Sequence, residues 1–172
     1  MRGYFGVGAE GISKPMNLGA ILRTAHAFQA SFAFTVDAHH RVRDVYQADT
    51  AKSVEHVPYY QWDSIGEMVL PDKCQLVGIE LTDEAIDLPT FRHPLCAAYV
   101  FGRERGSLTE AMQAKCSHIV KIPTKFCVNV SVACAITLYD RALSLGGFAE
   151  RPLMPGGPAM DTSPDKKFGQ HR

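Results

Sequence analysis

Three short stretches of this 172-residue chain carry polar side chains where an apolar pattern gives way. In Asn17-Leu18-Gly19-Ala20-Ile21-Leu22-Arg23 an amide suited to capping a helix is followed by an arginine two turns later. In Gly102-Arg103-Glu104-Arg105-Gly106 a charged loop follows directly on the run Cys96 to Phe101. In the segment from Lys121 to Ser131, Ile122-Pro123 closes a short apolar run, and Asn129 and Ser131 open another. Amide and hydroxyl oxygens satisfy the free N–H groups at a helix start. A carboxylate collects several such donors, and an arginine fork binds phosphate or a developing oxyanion. Read singly, each stretch suits ordinary capping or a solvated loop. Together they put polar groups at strand ends and helix starts, where open α/β sheets bind their ligands.

Gly6-Val7-Gly8-Ala9-Glu10-Gly11 also spells G-x-G-x-x-G after an apolar start, the outward form of a dinucleotide-binding turn. That turn needs its helix to begin at the second glycine, so that the helix N-terminus meets a pyrophosphate. Lys14-Pro15 falls several residues later. Proline is comfortable only in a helix's first turn and drives the residue before it out of the α region. The spacing predicts a strand whose glycines let the chain turn, then a helix starting between Pro15 and Asn17 that Asn17 can cap. A nicotinamide-dependent oxidoreductase is the weakest of the functional readings on this ground.

The elements that must position these residues alternate between strand and helix patterns. Strands are predicted at Tyr4–Gly8, Ser31–Val36, Val57–Trp62, Gln75–Leu81, Cys96–Gly102 and His118–Ile122. Helices are predicted at Met16–Gln29, Asp63–Leu70, Leu108–Lys115 and Asn129–Leu145, with a polar stretch of loop and short helix over 37–56. Pro58 makes the third strand an edge or a terminus. Apolar strands separated by helices imply an α/β fold, a mostly parallel sheet covered on both faces. Residues 1–147 read as one domain. Residues 148–172, rich in Pro, Gly and charge, read as a flexible tail.

Lysine plus arginine balance aspartate plus glutamate, 18 against 18, and 46% of the residues are apolar. That composition belongs to a globular body and neither demands nor excludes a nucleic-acid partner, which needs only a local basic patch. No apolar run approaches the roughly 20 residues of a membrane span, and no secretory signal opens the chain, so a cytoplasmic location is expected. The five cysteines are scattered without a C-x-x-C pair, and His39-His40 lacks a third ligand nearby, so no metal site is expected.

Asn17-x-Gly19-x-x-x-Arg23, then Phe101-Gly102-x-Glu104, then Ile122-Pro123 with Asn129-Val130-Ser131-Val132-Ala133 resemble, in this order, the three motifs of the SpoU (TrmH-type) RNA methyltransferases of the SPOUT class. The resemblance runs over residues 1–147. It implies an α/β sheet whose C-terminal part is threaded into a trefoil knot, a rarity among folds. It implies S-adenosylmethionine as cofactor, contacted by Ile79, Gly102, Ile122, Cys127 and Val128. Asn17 and Arg23 would help build the RNA site, and Glu104 and Asn129 would hold the loops in register. The implied reaction is methyl transfer to a ribose 2′-hydroxyl of RNA, tRNA or rRNA, by a homodimer whose active sites are completed by the partner. A non-catalytic RNA-binding or assembly protein on the same fold is the alternative. Cys127 stands where the family usually has serine, and Gly106 comes one place early in the second motif. Basic residues available to RNA are Arg2, Lys14, Arg41, Arg43, Arg103, Arg105, Lys121, Lys125, Lys166 and Lys167.

Overall fold

The computed structural model describes residues 3–40, 42, 56–104, 106–146, 148 and 155–156. The elements are β1 (Tyr4–Glu10), α1 (Pro15–Ala27), β2 (Phe32–Val36), β3 (Tyr59–Trp62), β4 (Gln75–Ile79), β5 (Ile86–Asp87), a 3₁₀ turn (Leu88–Thr90), β6 (Cys96–Phe101), α2 (Glu110–Lys115), β7 (His118–Lys121) and α3 (Val130–Ser144). The strands form one seven-stranded sheet in the order β3-β2-β1-β6-β4-β7-β5, every neighbouring pair parallel. The predicted α/β class and the edge position of β3 both hold.

Both faces of the sheet are covered, so its central strands are mostly apolar on both sides, β6 at every position. Along β6, Ala97, Tyr99 and Phe101 face one cluster, which includes Ile21, Leu22 and Ala25 of α1 and Cys134 and Leu138 of α3. Ala98 and Val100 face the other, with Phe32, Phe34 and Met112. This is the period-2 alternation of a strand with two dry sides. α1 and α3 pack against each other on the first face.

The structure corrects the reading of Gly6-x-Gly8. β1 runs on through both glycines to Glu10, and only Gly11 turns, at φ +62°. A Cβ on Gly6 would lie 2.2 Å from the Phe32 ring, and one on Gly8 2.4 Å from the Phe34 ring. The glycines leave room for two aromatic rings of the neighbouring strand rather than a turn around a phosphate.

Asp63–Leu70 is not helical. Turns held by Ser64, Ile65 and Glu67 occupy it. Eight residues interrupted by Gly66 and stopped by Pro71 cannot offset the cost of helix nucleation. The two-residue strand β5 is too short to leave a sequence pattern. Most of the stretch 37–56 lies outside the described residues. So does the assigned tail 148–172, apart from residues 148 and 155–156.

At the amino-terminal ends of β1 and β6 the core holds a polar knot of side chains. Arg141 of α3, 5% exposed, donates to the carbonyls of Pro94 (2.6 Å) and Leu95 (2.9 Å) and to the Tyr99 hydroxyl (3.0 Å). Its guanidinium also lies over the Phe5 and Tyr99 rings. His93 sits between the Tyr99 hydroxyl (Nδ1, 2.6 Å) and Asp140 (Nε2, 2.9 Å). We assign a neutral ring that donates from Nε2 to Asp140 and accepts from Tyr99, which leaves none of these groups unsatisfied. Burial lowers the His93 pKa against the pull of Asp140, and burial pushes the Tyr99 phenol up to about 12.

Candidate active site

A cleft of about 370 Å³ opens at the carboxyl ends of β4, β6 and β7, between the start of α1 and the start of α3. Its size lies in the range of small-molecule sites, about 300–1,000 Å³. Ile79, Gly102, Ile122, Cys127 and Val128, the five residues expected at the cofactor, all line it, as do Glu104 and Asn129. They arrive from four separate places in the chain: the end of β4, the loop after β6, the end of β7 and the approach to α3.

Glu104 ties the parts together. Its carboxylate accepts from the Ser13 backbone N–H (3.1 Å) and hydroxyl (3.0 Å), the Lys14 N–H (2.9 Å) and the Asn17 side-chain amide (3.0 Å). Burial alone would raise its pKa, but hydrogen bonding by its own backbone, by Asn17 and by the Ser13 and Lys14 N–H groups outweighs it and holds the carboxyl below its usual range. The N-cap of α1 is Lys14, which offers no side-chain oxygen, and a carboxylate from a loop 90 residues away holds the Ser13 and Lys14 N–H groups just before the helix.

Asn17 therefore does not cap α1, contrary to expectation. It is buried, 8% exposed, and bridges Glu104 to Asn129, whose amide donates to the Asn17 oxygen at 3.3 Å. Asn129 does cap its own helix, accepting from the Ser131 N–H (2.8 Å) and hydroxyl (2.6 Å). One chain of hydrogen bonds thus joins the three stretches that drew attention in the sequence.

Arg23 is not brought to this cleft. The buried face of α1 carries Asn17, Leu18, Ile21, Leu22 and Ala25, and Arg23 points to the opposite side, exposed. Among the described residues it has no hydrogen-bond or ion-pair partner.

Two carboxylates escaped the sequence reading. Glu80, just past β4, accepts from the Leu108 N–H (2.7 Å) and lines the cleft. Glu10, the last residue of β1 and 2% exposed, accepts from the Thr109 N–H (2.9 Å) and hydroxyl (2.6 Å). The signal was available: each of these apolar strands ends at a glutamate.

The candidate basic residues divide. Lys121 is held by the carbonyls of Thr82 and Asp83, both at 3.0 Å, and faces Asp87 at 3.8 Å, so it is not free for a ligand. Lys14 and Arg103 line the cleft, and Lys125 is exposed beside it. Arg2, Arg41, Arg43, Arg105, Lys166 and Lys167 lie outside the described residues. Among the described residues, no three His, Cys, Asp or Glu side chains gather as a metal site would require, and no helix is long and apolar enough to cross a membrane.

The family model of the SpoU rRNA Methylase family matches residues 5–139. The chain is 28% identical over 139 residues to the 23S rRNA (guanosine-2'-O-)-methyltransferase RlmB of Coxiella burnetii, covering 76% of this chain and 55% of that protein. It is 30% identical over 137 residues to the tRNA (guanosine(18)-2'-O)-methyltransferase of Escherichia coli, covering 76% and 59%. The chain thus spans little more than half the length of these curated relatives. The AdoMet-bound rRNA methyltransferase of Sinorhizobium meliloti superposes with a TM-score of 0.73 at 22% identity, over 84% of this chain and 58% of that one. That likeness shows a shared fold.

Proposed function

Because the chain belongs to the SpoU rRNA methylase family, we propose that it transfers a methyl group from S-adenosylmethionine to a ribose 2′-hydroxyl of RNA, tRNA in first place and rRNA in second. One observation carries the reading. Five residues expected at the cofactor line one cleft, and Asn17 links Glu104 to Asn129 at its edge.

The cleft fits this cofactor. Ile79, Phe101, Ile122, Val128 and Ala133 offer apolar walls for an adenine. Gly102 lets the loop fold closely on itself, since a Cβ there would lie 3.0 Å from the Leu108 nitrogen. The cofactor, when bound, supplies a methyl group made electrophilic by its sulfonium. What remains for the chain is to hold the 2′-oxygen in line and to ease the loss of its proton. Alignment alone supplies up to about 7–11 kcal/mol of such a barrier.

Glu104, Asn17 and Asn129 set the loops and the start of α1 in register, so that a displacement of one is passed to the others. Arg23 binds the phosphate beside the reacting ribose and stabilises charge on the 2′-oxygen. An arginine remains protonated in nearly every setting, so it acts as a cation and not as a base. The proton leaves through phosphate or water.

Arg23 faces away from its own cleft, which supports a homodimer in which Arg23 of the partner subunit completes the site. Val132, Ile136, Tyr139 and Leu143 form an exposed apolar stripe along α3, and Met16 at the start of α1 is 84% exposed. A second copy would cover that stripe. The C-terminal trefoil knot belongs to the same reading. It is supported by β4 lying between the two later strands β6 and β7, with both intervening loops at one cleft.

The test is incubation with methyl-labelled S-adenosylmethionine and total RNA, alongside thermal shifts with that cofactor and with NAD. Stabilisation by S-adenosylmethionine and label in RNA support the proposal. Stabilisation without label in any RNA favours a binding or assembly protein.

A further inference from the structure

Arg103 stands at the rim of the cleft in a slot made by two glycines. A Cβ on Gly106 would lie 2.9 Å from its Cδ and 3.0 Å from its Cγ, so the stem rests on bare backbone there. A Cβ on Gly11 would lie 3.3 Å from its Nε and 3.5 Å from both Cζ and Nη2, so the guanidinium rests on the turn after β1. The stem is guided while the head stays exposed.

Carboxylates that could neutralise it are already occupied. Glu104 is taken by Ser13, Lys14 and Asn17; Glu10 by Thr109; Glu80 by Leu108 and Leu81. Among the described residues Arg103 has no hydrogen-bond or ion-pair partner. A planar fork of donors, pre-positioned and left without an anion, is built to receive one.

Its place separates two possible anions. Four of the five expected cofactor residues, Ile79, Ile122, Cys127 and Val128, come from the ends of β4 and β7 and the approach to α3; Gly102 adjoins Arg103 in the loop after β6, but the Arg103 head reaches the other way, to the β1–α1 turn that also carries Lys14. The geometry points to Arg103 as a positioning residue that grips a phosphodiester of the RNA substrate at the cleft rim, in the same chain that holds the cofactor. This rests on the proposed RNA methyltransferase reading and extends it: the cofactor's own chain also contacts the RNA backbone.

The experiment measures the affinity of the full-length protein for fluorescently labelled total tRNA between 50 and 200 mM salt, with cofactor affinity measured separately by calorimetry. The expected result for Arg103→Ala is a loss of about threefold to tenfold in RNA affinity and a salt slope shallower by roughly 0.7–0.9, the share of one phosphate contact. Cofactor affinity and melting temperature stay as in the unsubstituted protein. Arg103→Lys, whose stem also fits over Gly106, restores the slope while recovering only part of the affinity. An unchanged slope in Arg103→Ala overturns the proposal. So does a loss of cofactor affinity with RNA affinity intact, which would assign Arg103 to the cofactor's carboxylate. If the unsubstituted protein binds no RNA, the underlying functional reading falls and this inference with it. If it binds and methylates RNA while Arg103→Ala behaves identically, only the inference falls.

Discussion

The two ends of the sheet hold contrasting polar networks. At the amino-terminal ends of β1 and β6, His93, Tyr99 and Arg141 are buried, and each is bonded to a neighbouring side chain or carbonyl. At the carboxyl ends, Glu104, Asn17 and Asn129 link three loops around an open cleft, and two cations on its rim, Lys14 and Arg103, point to solvent. A closed network whose members consume one another fixes packing. An open one that consumes its carboxylates and leaves its cations free is prepared for a ligand. The contrast lies less in composition than in which groups still need partners.

The largest effect expected is at the closed end. Arg141→Met keeps much of the volume but leaves two carbonyls and a phenol without their donor. It should cost about 3 kcal/mol in denaturant unfolding, since each buried group left unsatisfied costs about 1–3 kcal/mol. Methyl transfer per folded molecule should change little. At the open end, which Arg23 of the partner subunit is proposed to complete, the pattern should invert. Arg23→Ala is expected to slow methyl transfer about 100-fold, while stability stays within about 0.5 kcal/mol, as for surface substitutions generally. Arg23→Lys should recover only a minor part of the rate, because it restores charge without the fork. If Arg141→Met abolished transfer in the folded protein, or Arg23→Ala unfolded it, the division of labour would fail.

A smaller effect tests the sheet between the two ends. Gly8→Ala puts a methyl 2.4 Å from the Phe34 ring and should destabilise by about 1–3 kcal/mol through overpacking. A dinucleotide-turn reading of this glycine would predict a change in NAD binding instead.

The smallest effect is a matter of pH, and it distinguishes the two networks by window. His93 titrates below its ordinary 6.5 when folded, because burial disfavours its charged form. The unfolded chain therefore binds the proton first, and stability declines as pH falls below about 6.5. Glu104 titrates below its ordinary 4.5 because its hydrogen bonds favour the carboxylate over the opposing effect of burial. Its contribution is complete above that value and is lost as pH falls through the folded pKa. His93→Gln should flatten the upper part of the acid limb and Glu104→Gln the lower part, both read from unfolding midpoints against pH.

Much of this was legible in the residues. Cys96–Phe101 is apolar at every position and Phe32–Val36 at all but Thr35, the pattern of strands buried on both faces, and helical patterns between such runs point to the parallel α/β sheet. The place of the cleft was legible because strands end abruptly at Gly102 and Ile122; the individual cleft residues came from the resemblance to the SpoU motifs. What the sequence withheld were partnerships across long separations. Nothing near Asn17 says that its amide donates to Glu104, 87 residues on, while its oxygen accepts from Asn129. Nothing near Gly6 and Gly8 says that the rings of Phe32 and Phe34 lie over them. The 63–70 helix failed for a local reason: Asp63, Gly66 and Pro71 punctuate too short a segment.

The most direct test of the account is where the methyl group lands. Total tRNA is incubated with the protein and methyl-labelled S-adenosylmethionine, then hydrolysed in alkali, which needs a free 2′-hydroxyl to cut the chain. The account predicts label in alkali-resistant dinucleotides, with Arg23→Ala reducing that signal about 100-fold. Label confined to alkali-labile mononucleotides would mean methylation on a base, and would contradict the assignment of this cleft to ribose chemistry.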